Sequence, residues 1–362
     1  MATYYVSKLF GDDGDSGATP ALAKKTLGSV FGLGMADGDT IEILDESTYS
    51  ENTIEIDIAN LTLTHTASHL GRPKINGGDA PSSYIWKHNT SGTTFQGIEM
   101  YNAAYLIRRE ATSPTGAGTW FHLSGCFIHD INYLTSANIV GDSGKKTSIN
   151  ESILYFRDAG VDYIRTEGNL TLRNSLITAS AGDEKLVTDF GTNNTVTASY
   201  CTFINRPGGS STEPIVQASK VINCIVSGSG DGIASDDHTY NLVIVDGNSF
   251  RNHDDDSNGS AATGDIEDED PLFVDAAAIG STISIAANYQ LQEESPAVGY
   301  ATPIGIFFDL TGNVRPEGGD PGSEANPDMG CFEYVYSTDP WGPYGVEPSP
   351  PFSSTFVINS YL

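Results

Sequence analysis

The chain has 362 residues and a formal net charge of −29, from 47 acidic and 18 basic side chains. This acidic excess excludes non-specific binding to nucleic acid phosphates and docking on an anionic membrane surface, which both require Lys and Arg. No apolar run reaches the roughly 18 residues that a membrane-spanning helix needs. With 39 glycines and 38% hydrophobic residues, the composition indicates an all-β protein rich in turns.

Residues 1–36 predict an N-terminal strand followed by a capping helix. Thr19 is a suitable N-cap, and Pro20 suits the first helical position. Gly32 or Gly34 is a natural end for this helix. The apolar residues expected on one side of the helix are Leu22, Leu27, Val30 and Phe31. We expect the strand and helix to cover the first open end of the repeating structure that follows.

Residues 37–250 contain a sequence repeat. Each copy has an apolar residue, two variable residues, a Cys or Ser, any residue and a second apolar residue. This pattern, between short strands and Gly- or Asn-containing turns, is typical of a β-solenoid, whose parallel strands stack about 4.8 Å apart. It predicts a parallel β-helix of about eight or nine coils. The Cys or Ser of successive copies is Cys126, Ser152, Ser175, Cys201 and Cys224.

The four cysteines are expected to be reduced and buried. Their spacing fits neither a zinc motif nor a disulfide framework. Cys201 and Cys224 occupy equivalent positions of adjacent copies, so we expect them to stack in the core.

The C-terminal third has two parts. Residues 251–336 are expected to cap the other end of the solenoid. Residues 337–362 are rich in proline and aromatic residues, which predicts an extended segment that docks on a partner. The docking residues are expected to be Trp341, Tyr344, Phe352, Phe356 and Tyr361.

Both ends of the chain resemble a known family, the right-handed parallel β-helix proteins of the pectate-lyase-like superfamily. The resemblance covers about residues 1–336 and implies the same fold. Its motifs are Tyr4-Tyr5-Val6-Ser7, Gly11-Asp12-Asp13-Gly14-Asp15-Ser16-Gly17, Gly38-Asp39-Thr40-Ile41, Asp270-Pro271-Leu272-Phe273-Val274-Asp275, Asp309-Leu310-Thr311-Gly312-Asn313 and Asp328-Met329-Gly330-Cys331-Phe332.

The superfamily includes secreted polysaccharide lyases, glycosidases, adhesins and bacteriophage tailspikes. The N-terminal residues lack the basic and apolar regions of a signal peptide. This favours a tailspike, fibre or surface decoration of a phage particle, assembled in the host cytoplasm. We expect a non-enzymatic homotrimer that contacts other virion proteins and host surface polysaccharide. The alternatives are a polysaccharide hydrolase or lyase and a secreted adhesin whose signal has been removed.

An enzyme of this kind would need paired carboxylates. Glycoside hydrolysis uses two of them on either side of the scissile bond. On a solenoid such pairs come from adjacent coils, and two groups of acidic residues meet that requirement. The candidates are Asp158, Asp162, Asp183 and Glu184 in one group, and Asp231, Asp236, Asp237 and His238 in the other.

Aromatic side chains in the middle coils are candidates for sugar binding. Their faces stack on sugar rings, and neighbouring polar groups bond the hydroxyls. The central part of the chain is also the least acidic. The candidate sugar-binding residues are Trp86, Trp120, Tyr155 and Tyr163.

An Asp-x-Asp-x-Asn-Gly stretch predicts a calcium loop. Carboxylates at alternate positions followed by a glycine turn can place several oxygens around Ca²⁺. No other cofactor is expected. The candidate ligands are Asp254, Asp256, Asn258 and Asp265.

Overall fold

The structure is a computed structural model, and it divides into two compact units. Met1–Thr171 form the first unit, and Leu172–Asp189 with Thr195–Ser353 form the second. No helix in the described part of the chain is long and apolar enough to cross a membrane. The residues that the structure describes are 1–51, 53–65, 71–78, 83–88, 92–109, 121–135, 146–157, 163–166, 168–179, 185–189, 195–205, 214–235, 237–245, 250–251, 260–274, 289–316 and 326–334.

The first unit consists of parallel strands. One sheet has the order β1-β2-β5-β8-β10-β12 and a second has the order β3-β6-β9-β11-β13, with β7 pairing β4 and β9. The strands are β1 (Thr3–Val6), β2 (Thr40–Ile43), β3 (Thr48–Tyr49), β4 (Ile54–Ile56), β5 (Thr62–His65), β6 (Lys74–Asn76), β7 (Tyr84–His88), β8 (Thr93–Gln96), β9 (Glu99–Arg109), β10 (Phe121–Ser124), β11 (Phe127–Thr135), β12 (Lys146–Asn150), β13 (Ile153–Phe156) and β14 (Ile164–Thr166).

The second unit continues the same pattern with three sheets. Their orders are β15-β18-β21-β24, β16-β19-β22-β25-β27 and β17-β20-β23-β26. The strands are β15 (Asn169–Arg173), β16 (Leu176–Ala179), β17 (Val187–Asp189), β18 (Val196–Ser199), β19 (Thr202–Asn205), β20 (Pro214–Gln217), β21 (Lys220–Ile222), β22 (Ile225–Gly228), β23 (Asp231–Ala234), β24 (Asp237–Thr239), β25 (Leu242–Val245), β26 (Phe250–Arg251) and β27 (Ile266–Glu267).

This topology confirms the predicted all-β parallel β-helix. The regular solenoid has about six turns, fewer than the eight or nine that the sequence repeat predicts. In the first coils β4 pairs with β7 off the main path of the sheet.

The sequence repeat corresponds to structural ladders. Leu123 pairs with Ile149 in the first unit, and Ala198 pairs with Val221 in the second, as the repeat alignment requires. The Cys/Ser column also stacks. The backbone N–H of Cys126 donates to Ser152 Oγ at 3.2 Å. All four cysteines are buried and free, so the prediction of reduced core thiols is confirmed.

A left-handed bend precedes each member of this column. Gly97 and Gly125 occupy it with φ of 69° and 61°, and Glu151 holds the same conformation with φ of 50°. The bend redirects the chain from one sheet into the next, and glycine is the residue that adopts positive φ without strain. In the second unit the same bend is made by non-glycine residues, namely Asn174, Tyr200, Asn223 and Tyr240.

The N-terminal helix differs from the prediction. Pro20–Leu22 form only a 3₁₀ turn, and the α-helix, α1, spans Leu27–Phe31 with Thr26 as its N-cap. The interruption is caused by Lys24, which forms a parallel bridge with Val6 of β1. The backbone N–H of Lys24 therefore donates to Tyr5 and is not available to a continuous helix.

In the second unit, part of the C-terminal segment packs against the bends. The amide of Asn174 donates to the carbonyl of Phe308 at 3.1 Å, and the Tyr200 hydroxyl donates to the carbonyl of Thr302 at 2.8 Å. Asn223 forms two hydrogen bonds with Thr302, of 2.7 and 3.0 Å. The polar side chains at the bends therefore anchor the segment along the side of the coils.

Candidate functional site

A polar cluster in the first unit is built on two matching bends. Asn102 in β9 and Asp130 in β11 both have positive φ, of 62° and 52°. The flanking pairs, His129 with Tyr101 and Ile131 with Ala103, place them at the same register position. A left-handed residue in a strand breaks the alternation of side chains, so that two consecutive side chains face outward. We call this cluster the bulge site.

In the next coil, β13 has one residue fewer than β11 at this position. Between Ile128, which pairs with Leu154, and Ile131, which pairs with Phe156, two residues of β11 face one residue of β13. This is a β-bulge, a feature that re-aims side chains at the edge of binding sites. His129 and Asp130 are the two residues that it turns outward.

His129 lies between two carboxylates. Its Nδ1 donates to Asp130 Oδ2 at 2.8 Å, and its Nε2 donates to Glu99 Oε1 at 3.2 Å. A carboxylate oxygen only accepts hydrogen bonds, so both contacts are satisfied when both ring nitrogens carry a proton and the imidazole is cationic. Lys74 Nζ lies 3.4 Å from the same Glu99 oxygen.

The pKa values of the three groups follow from this geometry. Burial alone would lower the pKa of His129, but the hydrogen bonds to Asp130 and Glu99 outweigh it and raise that pKa above its ordinary value. Burial alone would raise the pKa of Glu99, but His129 and Lys74 lower it. The pKa of Asp130 is lowered by its hydrogen bond to His129 and by the charge of Arg157.

Arg157 follows β13 and reaches across two coils. One terminal nitrogen lies 3.5 Å from Asn102 Oδ1 and the other 3.5 Å from Asn132 Oδ1. Asn102 in turn donates to Asn76 Oδ1 at 3.1 Å. These contacts place the Arg157 guanidinium beside the amide oxygens of Asn102 and Asn132, within the polar cluster.

Stacked rings order the site. The rings of Tyr101 and His129 stack with centroids 5.0 Å apart and planes 4° apart, and the centroid of the Phe127 ring lies 4.5 Å from that of His129. Tyr101 and His129 are partly exposed. The bulge site therefore combines partly exposed aromatic rings with carboxylate, amide and guanidinium groups, a set suited to a polyhydroxylated ring.

Glu99, His129 and Asp130 are not among the candidate residues that the sequence motifs predict. The signal that points to them is positional: His129-Asp130 follows the buried Ile128, and Tyr101-Asn102 follows the buried Met100, which pairs with Ile128. Polar residues in consecutive positions after a core residue indicate a break in strand alternation. The first group of predicted carboxylates, Asp158, Asp162, Asp183 and Glu184, lies outside the described residues, as does Asp236.

The second predicted catalytic group is not a cluster. Asp231 is buried in β23, whereas Asp237 is exposed in β24 and accepts from Lys220 at 2.7 Å. His238 is buried and bonds to Asp265 instead. Neighbouring residues of a strand face opposite sides, so the described members Asp237 and His238 do not face one site.

The predicted sugar-binding aromatics are core residues. Trp86 is fully buried, with its indole N–H directed at Met100 Sδ, 3.2 Å away. Tyr163 stacks on Phe156 inside the coil, and Tyr155 is also buried. A buried ring cannot stack on a sugar, so these three assignments are corrected. Trp120 lies outside the described residues.

Only one of the predicted calcium ligands is described. Both oxygens of Asp265 are engaged: Oδ2 accepts from His238 and Ala262, and Oδ1 accepts from the backbone and side chain of Asn241. Asp254, Asp256 and Asn258 lie outside the described residues. Among the described residues no group of three metal-binding side chains comes together. The calcium loop stays a prediction, with Asp265 serving a structural purpose.

Comparison with known proteins gave similarity of fold only. No family model matches the chain, and no curated protein matches its sequence. Among solved structures, a pectate lyase is 15% identical with a TM-score of 0.43, covering 92% of this chain and 97% of its own. A pectin methylesterase from Aspergillus niger is 14% identical with a TM-score of 0.42, covering 80% and 93%. A lacto-N-biosidase from Eubacterium ramulus is 13% identical with a TM-score of 0.33, covering 74% and 67%.

Proposed function

We propose that the protein binds a carbohydrate at the bulge site. The observation that carries this proposal is the outward pair His129-Asp130 beside the outward pair Tyr101-Asn102, at one register position of adjacent strands. The partly exposed Tyr101 and His129 rings provide apolar contact for a sugar ring. Asp130 accepts hydrogen bonds from hydroxyl groups, and Arg157 donates to them.

Binding is favoured over glycoside hydrolysis by the ionisation of the carboxylates. Hydrolysis of a glycosidic bond requires one carboxyl group that stays protonated so that it can protonate the leaving group. The pKa values of Glu99 and Asp130 are both lowered, because each interacts with the cationic His129. Both groups are therefore ionised near neutral pH and act as acceptors for hydroxyl protons.

The biological setting that we propose is host recognition by a bacteriophage particle. In this proposal the β-helix is a trimeric surface component that presents the bulge site to a host polysaccharide. The acidic chain, which has a net charge of −29, suits a surface that must not adhere to nucleic acid. Light scattering tests the trimer, for which three chains of 38.5 kDa are expected.

The test is a glycan array with the full-length protein and matched variants. Arg157→Met and Asp130→Asn each remove one polar contact of the site, and we expect each to weaken binding at least tenfold. Lys220→Met is the control, because it removes an exposed cation in β21 of the second unit, where it pairs with Asp237. Unchanged affinity in Arg157→Met and Asp130→Asn, or equal loss in Lys220→Met, would refute the site.

A hydrolytic function is the second candidate, favoured by one observation. The cationic His129 lies between Glu99 and Asp130 and is the only proton donor among these three groups. Incubation with the glycans that bind, followed by detection of new reducing ends, tests this function. Product formation that His129→Gln abolishes would establish an enzyme, whereas binding without product supports recognition alone.

A further inference from the structure

The second unit presents an apolar surface on a hairpin. Ile304, Phe307, Phe308 and Val314 are exposed by 39%, 54%, 54% and 70%. Phe308 and Val314 form an antiparallel bridge, which places their side chains next to each other on one face. We call residues 304–315 the apolar hairpin. On an acidic protein, neighbouring exposed side chains of this size indicate an interaction surface.

The apolar hairpin is a well-supported element. Asp309 accepts from the backbone of Thr311 at 2.8 Å and of Asn313 at 2.7 Å, which closes the turn. The backbone N–H of Arg315 donates to the carbonyl of Phe307 at 2.8 Å. The side chains of Asp309, Leu310 and Arg315 are buried, so the outward direction of Phe308 and Val314 is fixed by the hairpin backbone.

The C-terminal part of the chain starts beside this surface. The backbone N–H of Leu310 donates to Cys331 at 2.8 Å, and that of Glu333 donates to Asp309 Oδ2 at 2.9 Å. The last described residue, Tyr334, is therefore adjacent to the apolar hairpin. Trp341 follows seven residues later, and seven residues span up to about 25 Å when extended.

The composition of the following segment complements the hairpin. Residues 337–353 contain Trp341, Tyr344 and Phe352 together with five prolines, and their only charges are Asp339 and Glu347. Proline holds a segment extended at low entropic cost, so its aromatic side chains can cover a surface without a large ordering penalty. Because the segment has no basic residue, it has no electrostatic attraction to the rest of this acidic protein. We therefore expect it to bind through apolar contacts.

We propose that residues 337–353 cover the apolar hairpin of their own chain, with Trp341 and Tyr344 against Phe308 and Val314. The sequence alone predicts that this segment docks on a partner. The position of Tyr334 favours the same chain, because the hairpin is within reach of Trp341 without a second molecule.

The test is acrylamide quenching of Trp341 fluorescence in the full-length protein. The Trp341 signal is obtained by subtracting the fluorescence of the Trp341→Phe variant from that of the wild type. We expect Trp341 to be at least threefold less quenchable than in a free peptide of residues 337–362. The double variant Phe308→Ser/Val314→Ser should bring the quenching to that of the peptide. Phe10→Ser, which changes a phenylalanine of the first unit that is 61% exposed, should leave the quenching unchanged.

A second variant, changed in the segment and not in the hairpin, tests the proposal even if the hairpin substitutions disturb folding. Trp341→Ser/Tyr344→Ser alters only the segment, and we expect it to increase binding of an apolar dye severalfold in a chain whose circular dichroism is unchanged. The proposal is overturned if Trp341 in the wild-type protein is quenched as strongly as in the free peptide. It is also overturned if Trp341 stays protected from quenching in Phe308→Ser/Val314→Ser. Protection that disappears on dilution, together with a multimer in light scattering, also overturns it and assigns the hairpin to a second copy.

Discussion

Asp130 and Asn102 hold the same left-handed backbone conformation at the same register position of adjacent strands. Asparagine and aspartate tolerate this conformation better than other side chains because their short polar groups bond locally. The two residues therefore determine both the shape of the backbone and the polar groups of the bulge site.

Replacing Asp130 separates these two contributions. We expect Asp130→Asn to lose only the stability that the Asp130 charge provides through His129, because asparagine keeps the left-handed conformation. Asp130→Ala should be about 1 kcal/mol less stable than Asp130→Asn, since alanine is strained at positive φ. Equilibrium urea unfolding measures both. Equal stability of the two variants would show that the bend is not strained.

The pKa of His129 reports on the two carboxylates. NMR titration should give a pKa above the ordinary value of about 6.5. Glu99→Gln and Asp130→Asn should each lower it, because each removes one acceptor that favours the charged ring. His122 is an internal control, since burial lowers its pKa. A His129 titration that neither variant changes would contradict the bridging arrangement.

The same shift gives stability a defined pH dependence. The folded protein binds the His129 proton more tightly than the unfolded chain, so the stabilisation is complete below pH 6.5 and is lost as pH rises through the folded pKa. Urea unfolding of wild type and His129→Gln between pH 5 and 9 measures it. The free energies of unfolding of the two proteins should converge as the pH approaches 9. A difference that increased with pH would contradict the raised pKa of His129.

Glu151 makes a bend that glycine makes in the two preceding coils. Its φ is 50°, and burial raises the pKa of its carboxyl group. Glu151→Asn should stabilise the protein by about 0.5–1 kcal/mol, because asparagine accepts the bend more readily. The gain should be larger at pH 7 than at pH 4, since the raised pKa of Glu151 removes stability as pH rises through it. Glu151→Ala is the control that removes the charge but keeps the strain.

The sequence predicted the solenoid because ladders repeat along the chain. Cys126 with Ser152, and Cys201 with Cys224, stack where the repeat alignment places them. The site was harder to predict, because it is built by an irregularity. The outward position of Asp130 depends on its positive φ, and strand alternation alone does not reveal that. The aromatic candidates failed for a related reason, since composition does not separate a core ring such as Trp86 from an exposed one.

Arg315 forms a buried ion pair that holds the C-terminal segment in the second unit. Its guanidinium donates to Glu333 and to Asn174 Oδ1, the latter at 3.0 Å, and lies 4.1 Å from the centre of the Tyr200 ring. Arg315→Met should cost about 3–5 kcal/mol, because it leaves a buried carboxylate without its partner. The double variant Arg315→Met/Glu333→Met should recover part of this loss in urea unfolding. A double variant less stable than the sum of the single changes would contradict the pairing.

Asp265 stabilises a turn through hydrogen bonds from three residues. Its carboxylate accepts from His238, Asn241 and Ala262 at 2.7 to 3.1 Å. Asp265→Ala leaves these donors unpaired and should cost about 1–3 kcal/mol. Because protein groups already occupy both oxygens, the loss should be the same in EDTA and in millimolar Ca²⁺. Thermal unfolding in both buffers measures it. If Ca²⁺ stabilises the wild type and Asp265→Ala abolishes that effect, Asp265 is a ligand. If the stabilisation by Ca²⁺ persists in Asp265→Ala, the ion is held by the predicted loop residues Asp254, Asp256 and Asn258.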